Sequence, residues 1–196
     1  MVHNRDIWVI AGVVHNMKKT LLLHLKIIGM LCVLSFSSCV MTTEPETFLI
    51  PSDFRGRVNI IYDQKCGEET EFENDRRIYR IPEDGILLTK FEKPSELIDH
   101  KYFLVDSSGT RTELTKMDVR DYNEDYTITK NPNEPPRDTL GIFKWGSLGN
   151  ATGMNNENSY SFQEFFVTDY NGLGNTYGKE YMNFTKLISE KRTECE

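Results

Sequence analysis

His100 is the only histidine after position 39, and Asp99 precedes it. A histidine beside a carboxylate is the raw material of a general base and its orienting partner. One imidazole cannot supply a multi-histidine zinc site, and a Ser-His-Asp triad would depend on this residue alone. His100 is therefore expected to be a loop histidine beside Asp99. Asp121, Asn123 and Asp125 place oxygen donors at alternate positions, as a calcium loop begins. Tyr126 occupies the place of its turn glycine and Pro132 that of its bidentate glutamate, so a solvated acidic loop is expected, with a weak non-EF calcium site as the alternative. Gly172-Leu173-Gly174 lacks the spacing of a phosphate loop. No metal and no cofactor is expected.

Three further groups could carry covalent or binding chemistry. Cys66, at a Lys65-Cys66-Gly67 turn, and Cys195, beside the C-terminus, are candidates for a disulfide in an oxidising compartment, or for two free thiols. Asp138-Thr139-Leu140 resembles the short acceptor motif for O-glycosylation found in some Gram-negative bacteria, with Thr139 as the acceptor. The second half is rich in aromatic residues beside loops: Phe143, Trp145, Tyr160, Phe162, Phe165, Phe166, Tyr170 and Tyr177. Strand alternation puts Tyr160, Phe162 and Glu164 on one side and Phe165 on the other, so these rings cannot share one buried face. Trp145 and Tyr170 are the expected ligand contacts. Asn150, Asn155 and Asn171 nearby would suit a sugar or peptide. The alternative is that every ring is core.

The sharpest chemical signal lies earlier. Lys18 and Lys19 form a basic n-region, and Ile27 to Phe36 is a ten-residue apolar run. That run suits a signal h-region and is shorter than the roughly 20 residues that span a bilayer. Ser37 and Ser38 then place small side chains before Cys39. Phe36-Ser37-Ser38-Cys39 resembles a lipobox, at which a bacterial signal is cleaved and the new N-terminal cysteine is lipidated. Phe36 departs from the usual leucine. Residues 1–16 precede a second plausible start at Met17, and residues 17–38 form the signal peptide, so both are excluded from fold reasoning. The acyl chains on Cys39 would hold the protein to a membrane at about 0.8 kcal/mol per buried methylene.

Of 23 Lys+Arg, four precede Cys39, and of 30 Asp+Glu only one does, leaving 19 against 29 and a net charge near −10 after cleavage. That balance excludes nucleic acid and electrostatic docking on anionic lipid. Residues 39–47 are polar and read as a lipid-anchored linker. Val40 stands where an inner-membrane retention signal would have Asp, which favours the outer membrane. Glu44 and Glu46 weakly resemble an acidic surface-export signal.

The elements that must position these residues begin at Phe48, and residues 48–196 form one β-rich domain. Val58, Ile60 and Tyr62 alternate with Arg57, Asn59 and Asp63, the period of a half-buried strand. Arg76–Ile81, Ile86–Phe91, Tyr102–Val105 and Arg111–Leu114 follow as β-like stretches. Pro82–Gly85 and Asp106–Gly109 carry turn residues, the second joining a hairpin. Residues 118–139 are a long polar connection with a short strand at Tyr126–Thr129. Gly141–Trp145 and Tyr160–Thr168 read as strands around a Gly- and Asn-rich loop at 146–159. Tyr177, Tyr181, Phe184 and Ile188 then form one stripe of a C-terminal helix capped by Asn175 or Thr176. The expected class is mainly β: an antiparallel β-sandwich or Greek-key barrel with a C-terminal helix.

Phe48-Leu49-Ile50-Pro51, Gly56, Val58, Ile60, Tyr62 and Gln64, Ile81-Pro82, and Gly85-Ile86-Leu87-Leu88-Thr89 together resemble a family of uncharacterised bacterial lipoproteins, a domain of unknown function. The resemblance covers Phe48 to Leu114 well and implies a secreted β-domain. It brings no catalytic residues. The expected function is a non-catalytic binding or structural module of the cell envelope, with a protein or glycan ligand. The alternative is an inhibitor or immunity-type lipoprotein that blocks a secreted toxin or wall hydrolase.

Overall fold

The computed structural model describes residues 44–95, 99–124, 128–152, 159–176 and 179–195, and no side chain between 175 and 182. The signal region, Cys39, Asp125, Asn155 and Tyr177 lie outside the described residues, and Tyr181 is described by its backbone alone.

Among the described residues, nine strands form two open sheets. The first contains β1 (Glu46–Pro51), β3 (Glu71–Glu73), β4 (Arg76–Arg80), β6 (His100–Val105) and β7 (Arg111–Leu114), in the order β3-β4-β1-β6-β7. The second contains β2 (Gly56–Ile61), β5 (Ile86–Leu88), β8 (Gly141–Thr152) and β9 (Ser159–Thr168), in the order β5-β2-β9-β8. The sheets are mixed: β1 runs parallel to both β4 and β6, and β2 runs parallel to β5. A sandwich results, not a closed barrel.

Alternation decides which side chains meet between the sheets. Phe48 and Ile50 of β1, Tyr79 of β4 and Tyr102 of β6 face Val58 and Ile60 of β2, Tyr62 just past its end, and Phe165 and Val167 of β9. Phe48 is the centre of this core. Its ring stacks between Tyr79 and Tyr102 at 5.1 and 4.8 Å and meets the edge of Phe165 at 5.2 Å.

Helix α1 (Lys179–Thr193) makes a third layer on the opposite face of the second sheet. Ile188 and Phe184 pack against Ile61, Ile86, Leu88 and Tyr160, so the described part of the helical stripe, Phe184 and Ile188, faces the sheet. Under this helix the Arg57 Nε donates to Glu164 at 2.6 Å while its guanidinium lies 5.1 Å from the Phe184 ring. Lys191 Nζ donates to Asp84 and to the Ile86 carbonyl, each at 2.7 Å. These contacts pin the last turns of α1 to the β5 edge.

The turns obey local chemistry. Asp106 Oδ1 accepts the amides of Ser108 and Thr110 at 2.9 Å, and Gly109 has φ +84°, closing the β6–β7 hairpin. Asn74 and Asp75, with φ of 52° and 60°, link β3 to β4 as a two-residue loop of the primed type. That hairpin is absent from the strand reading of the sequence, although its Asn-Asp signal is there.

Three boundaries differ from expectation. Glu46 and Thr47, assigned to the linker by composition, are buried in β1, so Glu46 is not available as a surface-export signal. Residues 146–152, read as loop, continue β8 against β9. Their glycines show no side-chain period, yet the ladder needs only backbone, and at Gly149 a Cβ would meet the Phe162 ring at 2.8 Å. Ile128 and Thr129, the described part of the strand expected at 126–129, form no strand.

Candidate binding surface

The histidine that looked most catalytic is sealed. His100 opens β6 directly across from Glu46 of β1, and both side chains are almost wholly buried, at 3% and 2% exposure. Nε2 of His100 lies 3.0 Å from Glu46 Oε2, Tyr79 donates its hydroxyl to Glu46 Oε1 at 2.8 Å, and His100 Nδ1 is 3.1 Å from the Tyr102 hydroxyl. Burial, with the Glu46 charge second, pushes the phenols of Tyr79 and Tyr102 far above their ordinary value. Both phenols remain protonated. Asp99 turns away to Arg76, and that hydrogen bond holds its carboxyl below the usual range. His100, expected in a loop beside Asp99, instead opens a strand, and its neighbour across the sheet is Glu46. Two grooves of about 290 Å³ flank α1, and neither is lined by His100.

Asn123 Oδ1 accepts the Asn131 amide at 2.6 Å, and its Nδ2 donates to the Asn131 carbonyl at 3.1 Å. These bonds fold the 118–139 connection on itself, with Arg137 Nε donating to Glu134 at 2.5 Å. Thr139 is exposed on the turn that ends this segment, its amide bonded to the Pro136 carbonyl at 3.1 Å. Leu173, between the two glycines of the Gly-Leu-Gly run, is buried against Tyr122, Phe143 and Phe166.

Cys66 and Cys195 are joined by a disulfide with Cα atoms 5.4 Å apart, across 129 residues of sequence. The turn holding Cys66 is clamped to the second sheet. Gln64 and Glu68 donate to the Thr89 and Leu88 carbonyls at 2.9 and 2.8 Å, and a Cβ at Gly67 would strike the Thr89 backbone at 2.7 Å. Only glycine fits that approach.

The two aromatic candidates have different settings. Tyr170 stacks on Tyr122 at 4.0 Å and carries Arg137 at 5.0 Å from its ring centre, so both faces of its ring are used within the fold. Trp145 is 44% exposed, with Lys116 Nζ 5.0 Å from its ring centre. A bulge puts it there. Phe143 pairs with Phe166 and Ser147 with Glu164, leaving Lys144, Trp145 and Gly146 opposite the single residue Phe165. Lys144 and Gly146 take φ of 51° and 86° to make the bend, which re-aims the Trp145 ring outward.

Beyond the bulge, β8 forms an open edge whose polarity follows from the ladder. Tyr62 donates to the Ser161 carbonyl, so the odd-numbered residues of β9 from Ser161 turn their amides toward β2 and the even ones toward β8. Through the β8–β9 register, Ser147, Gly149 and Ala151 then bond inward. Leu148, Asn150 and Thr152 direct N–H and C=O groups outward. The same parity puts Ile142 outward, where it is bonded by Met117 N and to the Thr115 carbonyl at 2.8 and 2.9 Å. That covering segment stops at the bulge. Among the described residues, nothing pairs with the backbone edge at Leu148, Asn150 and Thr152.

Comparison with known proteins adds a family and a distant structural likeness. No curated protein matches the chain. A crystal structure at 2.75 Å of a "Putative Lipoprotein from Bacillus anthracis" shares 17% identity, with 76% of this chain and 96% of that one covered and a TM-score of 0.49. The model of one protein family matches residues 42–176, well over half of the chain. The chain thus belongs to a family of unknown function, DUF6843.

Proposed function

We propose that this protein is a lipid-anchored module of the bacterial cell envelope that binds a partner and performs no catalysis. The anchor is Cys39, supported by the basic, apolar and small-residue order of Lys18 to Ser38. The outer membrane is the proposed site, since Val40 follows the cysteine. The observation that carries the binding reading is the surface at β8, where a half-exposed tryptophan adjoins an open strand edge. The buried Glu46–His100 pair supports the non-catalytic part, because a substrate would have to displace core to touch it. Thr139, exposed on its turn, is the proposed O-glycosylation acceptor.

Two measurements test this reading. Labelled palmitate should enter the wild-type chain and not Cys39→Ala, and equal labelling would remove the anchor. A photoreactive benzophenone at position 145 should give discrete adducts on intact cells. A chain that is exported and folded yet gives no adduct there would remove the binding surface.

A further inference from the structure

Resting on the binding reading above, we infer that the outer edge of β8 accepts an extended peptide segment as an additional strand, and that this segment carries carboxylates at its ends. An exposed strand edge offers a row of unpaired donors and acceptors that another chain can complete. Natural sheets guard such edges with charges, prolines, shortness or a cover. The other edges of this protein have those guards. β3 carries Glu71 and Glu73 in three residues, β7 carries Arg111 and Glu113 in four, and β5 is three residues long with α1 pinned along it. In contrast, Gly146–Thr152 holds no charge and no proline, and its side chains are exposed or half-exposed. Leu148, Asn150 and Thr152 present three N–H and three C=O groups over about 13–14 Å at the usual strand rise. An added strand would enlarge the second sheet from four to five.

The lysines around the edge select the kind of strand. Lys93 Nζ lies 3.4 Å from Asn150 Oδ1, at the middle of the three outward-facing residues. Lys116 caps Trp145 at the bulge end, and Lys144 stands beside it, its Nζ 5.7 Å from the Phe166 ring centre. Cations therefore bracket the uncharged stretch from Trp145 to Asn150. An incoming peptide with Asp or Glu at both ends meets both, while Trp145 offers a ring face to a side chain near one end. A second copy of this chain fits less well. A two-fold axis anywhere along Ser147–Asn150 sets lysines against lysines, and both copies carry excess negative charge overall.

The test uses the full processed chain in detergent micelles, panned against a random dodecapeptide display library. Expected hits alternate β-branched or aromatic residues and end in Asp or Glu. Their binding should fall at least tenfold in Asn150→Pro, which deletes an outward N–H that the β8–β9 ladder does not use. Exchange of the Leu148, Asn150 and Thr152 amides should slow at least tenfold when a selected peptide is added. If the proline variant fails to fold, the Lys93→Glu/Lys116→Glu variant decides instead, by switching the preference to peptides with basic ends. No enriched peptide, or peptides whose binding leaves those three amides unchanged, overturns the proposal. Slow exchange without peptide also overturns it, as self-pairing if it depends on concentration and as cover by the chain itself if it does not. Cell adducts at position 145 that survive Asn150→Pro would keep the binding module and remove strand addition.

Discussion

Glu46 and His100 face each other 3.0 Å apart across the first register step between β1 and β6, and neither side chain reaches solvent to any extent. The facing atoms, His100 Nε2 and Glu46 Oε2, are in ion-pair range but do not meet in hydrogen-bond geometry. Tyr79 and Tyr102 complete the set at 2.8 and 3.1 Å, so the polar cluster is walled by the rings that form the core around Phe48. Removing Glu46 takes the acceptor from the buried Tyr79 hydroxyl, and leaving a buried polar group short of a partner costs more than the interaction itself contributes. Glu46→Ala is expected to cost about 3–5 kcal/mol, read as a shift of the urea midpoint with unchanged slope. A loss under about 1 kcal/mol would show that the cluster is not the fastening point of β1.

Reduction should loosen the far end of the molecule. The Cys66–Cys195 bond closes a loop of 129 residues, for which the chain-entropy model gives about 4–5 kcal/mol. The Cys66→Ser/Cys195→Ser variant is expected to lose that amount in denaturant titrations. Amide exchange should accelerate first in the last turns of α1, which would then be held by Lys191 on Asp84 and Ile86 and by the packing of Ile188, without the covalent tie. Uniform acceleration through the whole domain would argue that the helix is not a separable layer.

Alkaline pH should unfold the protein steeply. Tyr62, Tyr79 and Tyr102 all have phenol pKa values raised, burial being the first cause in each. A folded-state pKa raised above the unfolded value gives stability that is complete below the unfolded pKa of about 10 and is lost as pH rises past it. Each phenol contributes about 1.4 kcal/mol per pH unit in that window, so three give about 4 kcal/mol per unit. Urea titrations between pH 9 and 11 measure the slope. Ordinary phenolate absorbance from all tyrosines at pH 10 in folded protein would contradict it.

The β3–β4 turn offers a stabilising change. Asp75 holds φ 60° at the second position of a two-residue loop where glycine is free of strain. Asp75→Gly is expected to add about 0.5–1 kcal/mol, and Asp75→Val to lose about 1–2 kcal/mol, by thermal denaturation. Equal melting temperatures for the two variants would mean that this hairpin contributes nothing to the fold.

What the sequence determined by itself was local. The alternation of Val58, Ile60 and Tyr62, the Asp106–Gly109 hairpin and the Phe184–Ile188 face of the helix each follow from a period or a backbone angle written in consecutive residues. The side-chain period says which face is apolar and the turn residues say where the chain reverses. Neither says which strands become neighbours.

Tertiary structure alone decided the parallel pairing of β1 with β4 and β6, and with it the meeting of Glu46 with His100, 54 positions later in the chain. It also decided that Gly146–Thr152 is strand, because a glycine-rich segment has no side-chain pattern to display and takes its extended form from the ladder that β9 offers. The same ladder fixed which amides of β8 face outward. An unpaired edge is a property of the assembled sheet, since it is defined by the strand that is not there.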